Sequence, residues 1–204
     1  MKQKKYLMSF TTGGLFYVES LLLLELYIKL QDWNDVYIYA LDKNTLQTRV
    51  VNSAKRIVKE IINRLKTLSK NELLLLYKGS ISDQKYILWL SVCRRFIFIK
   101  EFAIEVIRER YLTLKYDLPV EEYESFFNLK AQWYEELEKI KDSSRYKQRT
   151  VVYKILREAD IIDKNKFILP AMLSDELIIT IAQTNKDDLT IFPISDLDLE
   201  RVTS

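Results

Sequence analysis

TLQTRVVNSAKRIVKEIINRLKTL, residues 45–68 of a chain of 204, carries the clearest amphipathic pattern in the sequence. Turning about 100° per residue puts Leu46, Val50, Ile57, Ile61, Leu65 and Leu68 on one side. Arg49, Lys55, Arg56, Lys59 and Lys66 fall on the other, with Asn52 and Asn63 between them. The spacing predicts one helix over 45–68 that buries an apolar face and turns a basic stripe to solvent.

Outward from this helix the chain reads as mainly α, because apolar residues keep helical spacing and only three glycines and three prolines interrupt them. Ser69 and Glu72 form a capping box for a helix over 70–78, and Gly79 suits its C-terminus. Upstream, helices are predicted over 15–30 and, with Asp32 as N-cap, over 32–41. Leu21 to Leu24 make the first apolar nearly all round, so it is expected to be buried. Downstream, a long helical stretch over 83–114, broken near Arg94 and Arg95, brings Trp89, Phe96, Phe98 and Phe102 to the core. Asp117-Leu118-Pro119 stops it and suggests a boundary between an N-terminal helical domain, 1–116, and a C-terminal one, 117–204. Acidic helices over 120–140 follow, with Trp133 and Tyr134 read as core-facing. A second basic helix over 144–159 leads to Ile161-Ile162, a polar turn over 163–166, and Phe167-Ile168-Leu169 before Pro170, which predicts a short β-hairpin near 161–169. A helix over 175–183 and an acidic tail end the chain. The expected fold is a multi-helix bundle with one C-terminal hairpin. Helix, turn, basic helix and hairpin is also the order of winged-helix modules.

Composition narrows the chemistry. With 48% hydrophobic and 30% charged residues the chain folds around a core. It has no histidine, which excludes imidazole-dependent nucleophiles, bases and metal pairs. One cysteine, Cys93, allows neither an internal disulfide nor a Cys-rich zinc site, and fits a reducing cytoplasm. Three glycines cannot build a phosphate-cradling loop of the Walker or dinucleotide type. The N-terminal residues lack a signal-peptide pattern, and no apolar run reaches the roughly 18 residues of a membrane span. No cofactor, metal or membrane partner is expected.

A net charge of +3 conceals opposed blocks. Residues 43–100 carry +10 and 141–157 carry +5, while 101–140 carry −5 and 158–204 carry −6. Two basic blocks set among acidic ones suit a polyanion footprint, although solvated helix faces can have the same composition. On the second basic helix Tyr146, Lys147, Thr150, Tyr153, Lys154 and Arg157 share one broad side, and Arg145 and Arg149 fall toward the interior. Such side chains contact phosphates and position a protein on DNA without reading bases. Gly13-Gly14 after Thr11-Thr12 could expose amides to an anion, or supply a tight turn with a threonine cap. Cys93 beside Arg94-Arg95 reads as a buried thiol. Glu121-Glu122, Glu135-Glu136 and Asp187-Asp188 are poor dyads, since neighbours on a helix point about 100° apart.

Met8-Ser9-Phe10-Thr11-Thr12-Gly13-Gly14-Leu15, Ser53-Ala54-Lys55-Arg56, Leu88-Trp89-Leu90-Ser91-Val92-Cys93-Arg94-Arg95 and Lys100-Glu101-Phe102-Ala103-Ile104-Glu105-Val106 form an ordered series of short strings. Leu156-Arg157-Glu158-Ala159, Ile168-Leu169-Pro170-Ala171 and Phe192-Pro193-Ile194-Ser195-Asp196 complete it. Over nearly the whole chain this series resembles the BrxA family, a small component of bacteriophage exclusion (BREX) defence systems. The resemblance implies a non-enzymatic, cytoplasmic DNA-binding accessory protein, mainly helical and similar in part to the antitermination factor NusB. It also implies larger partners, including a methyltransferase, that carry the chemistry. The expected ligand is double-stranded DNA, held by Arg49, Lys55, Arg56, Lys59 and Lys66 and by Tyr146, Lys147, Tyr153, Lys154 and Arg157. The alternatives are an adaptor for other BREX subunits and an RNA-binding protein.

Overall fold

A computed structural model of the chain describes residues 5–11 and 13–195. Side-chain caps set many of the helix starts. The helices α1 (Tyr17–Leu30), α2 (Trp33–Asp42), α3 (Val51–Leu65), α4 (Lys70–Lys78) and α5 (Ile81–Arg95) make the first half. Asp32 accepts the N–H groups of Asn34 and Asp35 to open α2. Ser69 and Glu72 cap each other's backbone to open α4, and Ser80 opens α5. The expected break falls at Phe96, whose extended backbone separates α5 from α6 (Ile97–Phe102). The latter continues through a π-helical turn, Ala103–Arg108, into α7 (Glu109–Leu112). Then come α8 (Val120–Ala131), α9 (Glu135–Glu138), α10 (Asp142–Glu158) and α11 (Asp175–Asn185), with a 3-10 turn at Lys186–Ile191.

The buried apolar residues from Tyr6 to Ile194 form one cluster, which runs across the 116/117 position. Phe98 is its aromatic centre. Its ring lies 5.1–6.2 Å from those of Tyr6, Phe10, Tyr123, Phe126 and Phe127. Residues on both sides of the expected boundary thus share one core.

Four expectations need correction. First, α3 begins six residues later than its pattern suggests. Asn44 and Gln47 have φ of 46° and 49°, and the Asn44 side chain accepts the Thr48 N–H, so residues 43–46 form a turn and 47–50 stay non-helical. Arg49 therefore lies ahead of the helix, and Val50 is 57% exposed. Second, α1 is buried only along Ser20, Leu23 and Leu24, while Val18 is 61% exposed. Apolar residues all round do not bury a helix that has neighbours on one side only. Third, the hairpin reduces to isolated antiparallel bridges, Ile162 with Ile168 and Asp117 with Phe167. The chain does reverse at 163–166, but Ile168 N–H bonds the Tyr116 carbonyl and Pro170 follows, so the ladder cannot propagate. No strand, and so no β wing, forms among the described residues. Fourth, Trp133 is 70% exposed, whereas Tyr134 packs on Tyr6 at 4.3 Å.

A buried ionic network ties the centre together. Arg94 donates to both Glu72 oxygens, at 2.7 and 2.8 Å, and to Asp188 at 2.8 Å; Lys100 also donates to Asp188. Glu72 is thus helix cap and counter-ion at once. Burial opposes ionisation of Asp188 most strongly, yet the hydrogen bonds and charges of Lys100 and Arg94 outweigh it and hold the carboxyl below the usual carboxylate range. A depressed folded-state value means the stabilisation is complete above the ordinary aspartate value of about 3.9 and is lost as pH falls through the folded-state value. Acid denaturation should therefore be shallower in Asp188→Asn than in wild type over that range. In urea titrations at neutral pH, Glu72→Ala is expected to cost about 3 kcal/mol, the low end for breaking a buried pair, because Arg94 keeps Asp188. Ser69→Ala, which removes the cap and an exposed bond from the Thr184 hydroxyl but leaves the Glu72–Arg94 pair, should cost about 1 kcal/mol.

Candidate nucleic-acid interface

Both basic helices send their C-terminal turns toward the same segment, residues 13–17. On α3, Arg64 is only 3% exposed and donates to the Gly14 carbonyl at 2.8 Å and to Glu60 at 3.0 Å. Its guanidinium lies over the Phe16 and Phe96 rings, 5.3 and 5.7 Å from their centroids. Burial lowers its pKa from the ordinary arginine value, while Glu60 works in the opposite direction. On α10, Glu158 accepts the Leu15 N–H at 2.6 Å. Farther along, the Gln148 side chain donates to the Met8 carbonyl at 2.8 Å. The N-terminal segment is therefore clamped by one helix from each basic block.

The turn itself requires glycine. Gly13 has φ 110°, and a Cβ there would overlap the Phe16 ring; at Gly14 it would overlap the Glu158 carboxylate and come 3.0 Å from Lys154 Cε. Because a carboxylate already takes the Leu15 amide, the turn is structural and is no anion cradle. Phe16, with φ 58°, occupies the N-cap position of α1 without a side-chain cap; Thr12 lies outside the described residues.

Phe16 separates two clefts. On the α3 side, Arg56, Lys59 and Arg64 line a space of about 240 Å³ with Phe16. On the α10 side, Lys154 and Lys85 line one of about 410 Å³ with Gly14, Phe16, Glu19 and Glu158. Arg56, Lys59 and Lys154 thus flank one turn. Lys55 and Lys66 lie on the same outer arc of α3 as Lys59, Lys66 just past the helix end, while Arg49 sits in the preceding loop. Tyr146, Lys147 and Arg157 are exposed on the outer side of α10.

Tyr153 does not belong with them. It is 4% exposed, and its hydroxyl donates to the Pro119 carbonyl at 2.8 Å. The edge of the α10 face is covered there by the start of α8, which sequence periodicity could not reveal. Burial raises the Tyr153 pKa, so the phenol stays protonated.

The surface cations divide by whether they are compensated. Arg145 and Arg149, as expected from their angle, turn inward and pair with Glu124. Lys85 pairs with Asp160 at 2.6 Å, and Lys154 approaches Glu158 at 3.7 Å. Among the described residues, Arg49, Lys55, Arg56, Lys59, Lys66, Lys147 and Arg157 make no ion pair. Their field reaches solvent undiminished by a local counter-ion. Sequence reasoning missed Arg64, Glu158 and Phe16. Only Arg64 left a signal, an arginine about 180° from Lys55 on the inward side of its helix.

Elsewhere the reactive side chains are committed. Cys93 is buried, and desolvation pushes its thiol well above the ordinary value. Glu122 pairs with Arg110, Glu135 with Lys139, and Asp188 lies in the central network. No group of three or more His, Cys, Asp or Glu that could hold a metal occurs among the described residues. No helix among them is long and apolar enough to cross a membrane.

Fold and surface define an all-helical protein in which basic side chains from α3 and α10, some paired and some not, flank a clamped turn. The chain belongs to the BrxA family, whose profile matches residues 4–185. It is 30% identical over 120 residues to the BREX protein BrxA of Escherichia coli O9:H4 (strain HS), covering 59% of this chain and 56% of that protein. It is 27% identical over 127 residues to the BREX protein BrxA of Bacillus cereus (strain H3081.97), covering 62% and 64%. The chain thus matches a little over half the length of these relatives. A crystal structure of an uncharacterized protein from Magnetospirillum magneticum shares the fold, with a TM-score of 0.77 at 18% identity over 93% of this chain and 98% of that one.

Two substitutions test the clamp. Gly14→Ala should destabilise the protein by about 1–3 kcal/mol in urea titrations, the range for an overpacked site. Adding Glu158→Ala should cost less than the sum of the single changes, because the clash and the hydrogen bond share one carboxylate. Tyr153→Phe should cost about 1 kcal/mol of stability and leave any nucleic-acid affinity unchanged.

Proposed function

We propose that the protein binds double-stranded DNA through phosphate contacts, as a non-catalytic component of a BREX system. The observation that supports this reading is the placement of Arg56, Lys59 and Lys154 around the Phe16 turn, continued outward by unpaired Lys55, Lys66, Lys147 and Arg157. A duplex backbone crossing that turn meets cations from both helices, while the acidic segments keep the remaining surface unattractive to it. Contacts of this kind fix position on DNA without specifying sequence. The basic helix α10 serves here without a β wing, and the NusB likeness of the family makes RNA the competitor to exclude.

A second reading, an adaptor for other BREX subunits, draws on a different surface. The groove between α4 and α11 is bordered by exposed Leu74 and Ile179, and exposed apolar residues at a groove suit a protein partner. Co-purification of BREX subunits from nuclease-treated extract, lost in Leu74→Asp/Ile179→Asp, would favour it.

The deciding measurement is affinity for duplex DNA at several salt concentrations, with single-stranded DNA and RNA as competitors. Wild type should show log-log slopes steepening by about 0.9 per phosphate neutralised. Arg56→Gln/Lys59→Gln/Lys154→Gln should be shallower by up to about 2.7, three such contacts. An unchanged slope in that folded variant would remove these residues from the interface, and preferential competition by RNA would reassign the ligand.

A further inference from the structure

We propose that the cleft between Phe16 and α3 receives a single unstacked nucleobase of the bound DNA, with the adjoining phosphate on Arg56 and Lys59. This rests on the DNA-binding reading above and specifies which part of the ligand the site takes.

The cleft combines two chemistries that a phosphate alone would not need. Its accessible walls are the half-buried Phe16 ring and the half-buried Ile57 side chain, packed over the fully buried Phe96. Beneath the walls the buried Arg64 guanidinium lies against Phe16 and Phe96 and braces the Phe16 ring from the protein side. Its mouth carries the exposed cations Arg56 and Lys59. The one carboxylate lining it, Glu60, is engaged by Arg64 at 3.0 Å and faces Arg95 at 3.9 Å, so it does not cancel the mouth. A partly exposed aromatic face, here that of Phe16, is what an unstacked base lies against, while lysine and arginine at the entrance take the backbone. A purely apolar ligand would leave those two cations without a role.

Size and conformation agree with this occupant. The cleft offers about 240 Å³, somewhat less than a typical small-molecule pocket of about 300–1,000 Å³, which suits a small planar ligand group. Phe16 is held at φ 58°, a left-handed conformation uncommon for a bulky side chain, against a glycine that alone tolerates its ring. Strain maintained by surrounding contacts is typical of ligand clamps. Here it keeps an aromatic face at the junction of the two basic helices.

The test compares three duplexes in fluorescence-anisotropy titrations: one fully paired, one with a single extrahelical adenine, and one with an extrahelical abasic residue at the same place. The adenine bulge should bind roughly fivefold to a hundredfold tighter than the abasic one, the range that base–aromatic stacking supplies. Ile57→Trp, which fills the cleft and leaves its cations in place, should abolish that preference without changing affinity for paired duplex. Phe16→Leu, which keeps apolar bulk and removes the ring, provides a second variant should the first fail to fold. With 2-aminopurine as the bulged base, quenching on binding should occur in wild type and vanish in either folded variant. Equal affinity for adenine and abasic bulges, or a preference that survives in a folded variant, would overturn the base-binding cleft. If paired duplex still bound with steep salt dependence, the phosphate interface would stand. Absence of paired-duplex binding at low salt would instead refute the DNA reading itself, and the cleft with it.

Discussion

The buried guanidinium of Arg64 is the constraint from which the arrangement of the basic surface follows. A cation in the interior must satisfy its donors or leave a large desolvation cost uncompensated. Arg64 does so with the Gly14 carbonyl, the Glu60 carboxylate and two phenyl faces. Those partners lock the N-terminal segment against α3. Glu158, accepting the Leu15 N–H from the opposite side, locks the same segment against α10. Two helices that need not touch each other are thereby registered through a short turn, and their exposed cations acquire a fixed spacing.

The interior elsewhere follows the same logic of charge held in place by geometry. Arg94 links a helix cap, Glu72, to the carboxylate of Asp188 more than a hundred residues later, while the rings around Phe98 fill the space between α6 and α8. Glu72 and Asp188 are matched by Arg94 and Lys100, and the inward Arg145 and Arg149 of α10 by Glu124. The outer arcs of α3 and α10 carry unmatched cations, Lys55, Arg56, Lys59, Lys147 and Arg157 among them. This placement, rather than the modest net charge, is what the proposed polyanion interface draws on.

Much of the helical architecture was legible in the residues. The capping box of Ser69 and Glu72, the Asp32 cap, the break beside Arg95 and the inward turn of Arg145 and Arg149 all depend on local chemistry or on the 3.6-residue period. The failures have equally definite causes. Asn44 adopts a left-handed turn that shortens α3, a choice its periodicity does not encode. The reversal at 163–166 satisfies its backbone against residues 116–118 as well as against itself, so a hairpin pattern yields only bridges. Tyr153 faces outward by angle until α8 is placed over it.

Residue types and their periodicity were enough to establish a helical protein, to rule out imidazole and phosphate-loop chemistry, and to locate two basic helices. These follow from backbone geometry and side-chain pKa ranges that hold in any context. That the two helices meet at one turn was decided by contacts between residues 50 and 143 positions apart, Arg64 with Gly14 and Leu15 with Glu158. Helical period fixes the direction of a side chain about its own axis but carries no information on where that axis lies relative to another. The same long-range contacts created the Phe16 cleft, because an aromatic ring in a glycine-rich turn becomes a wall only when a distant arginine and a distant helix hold it there.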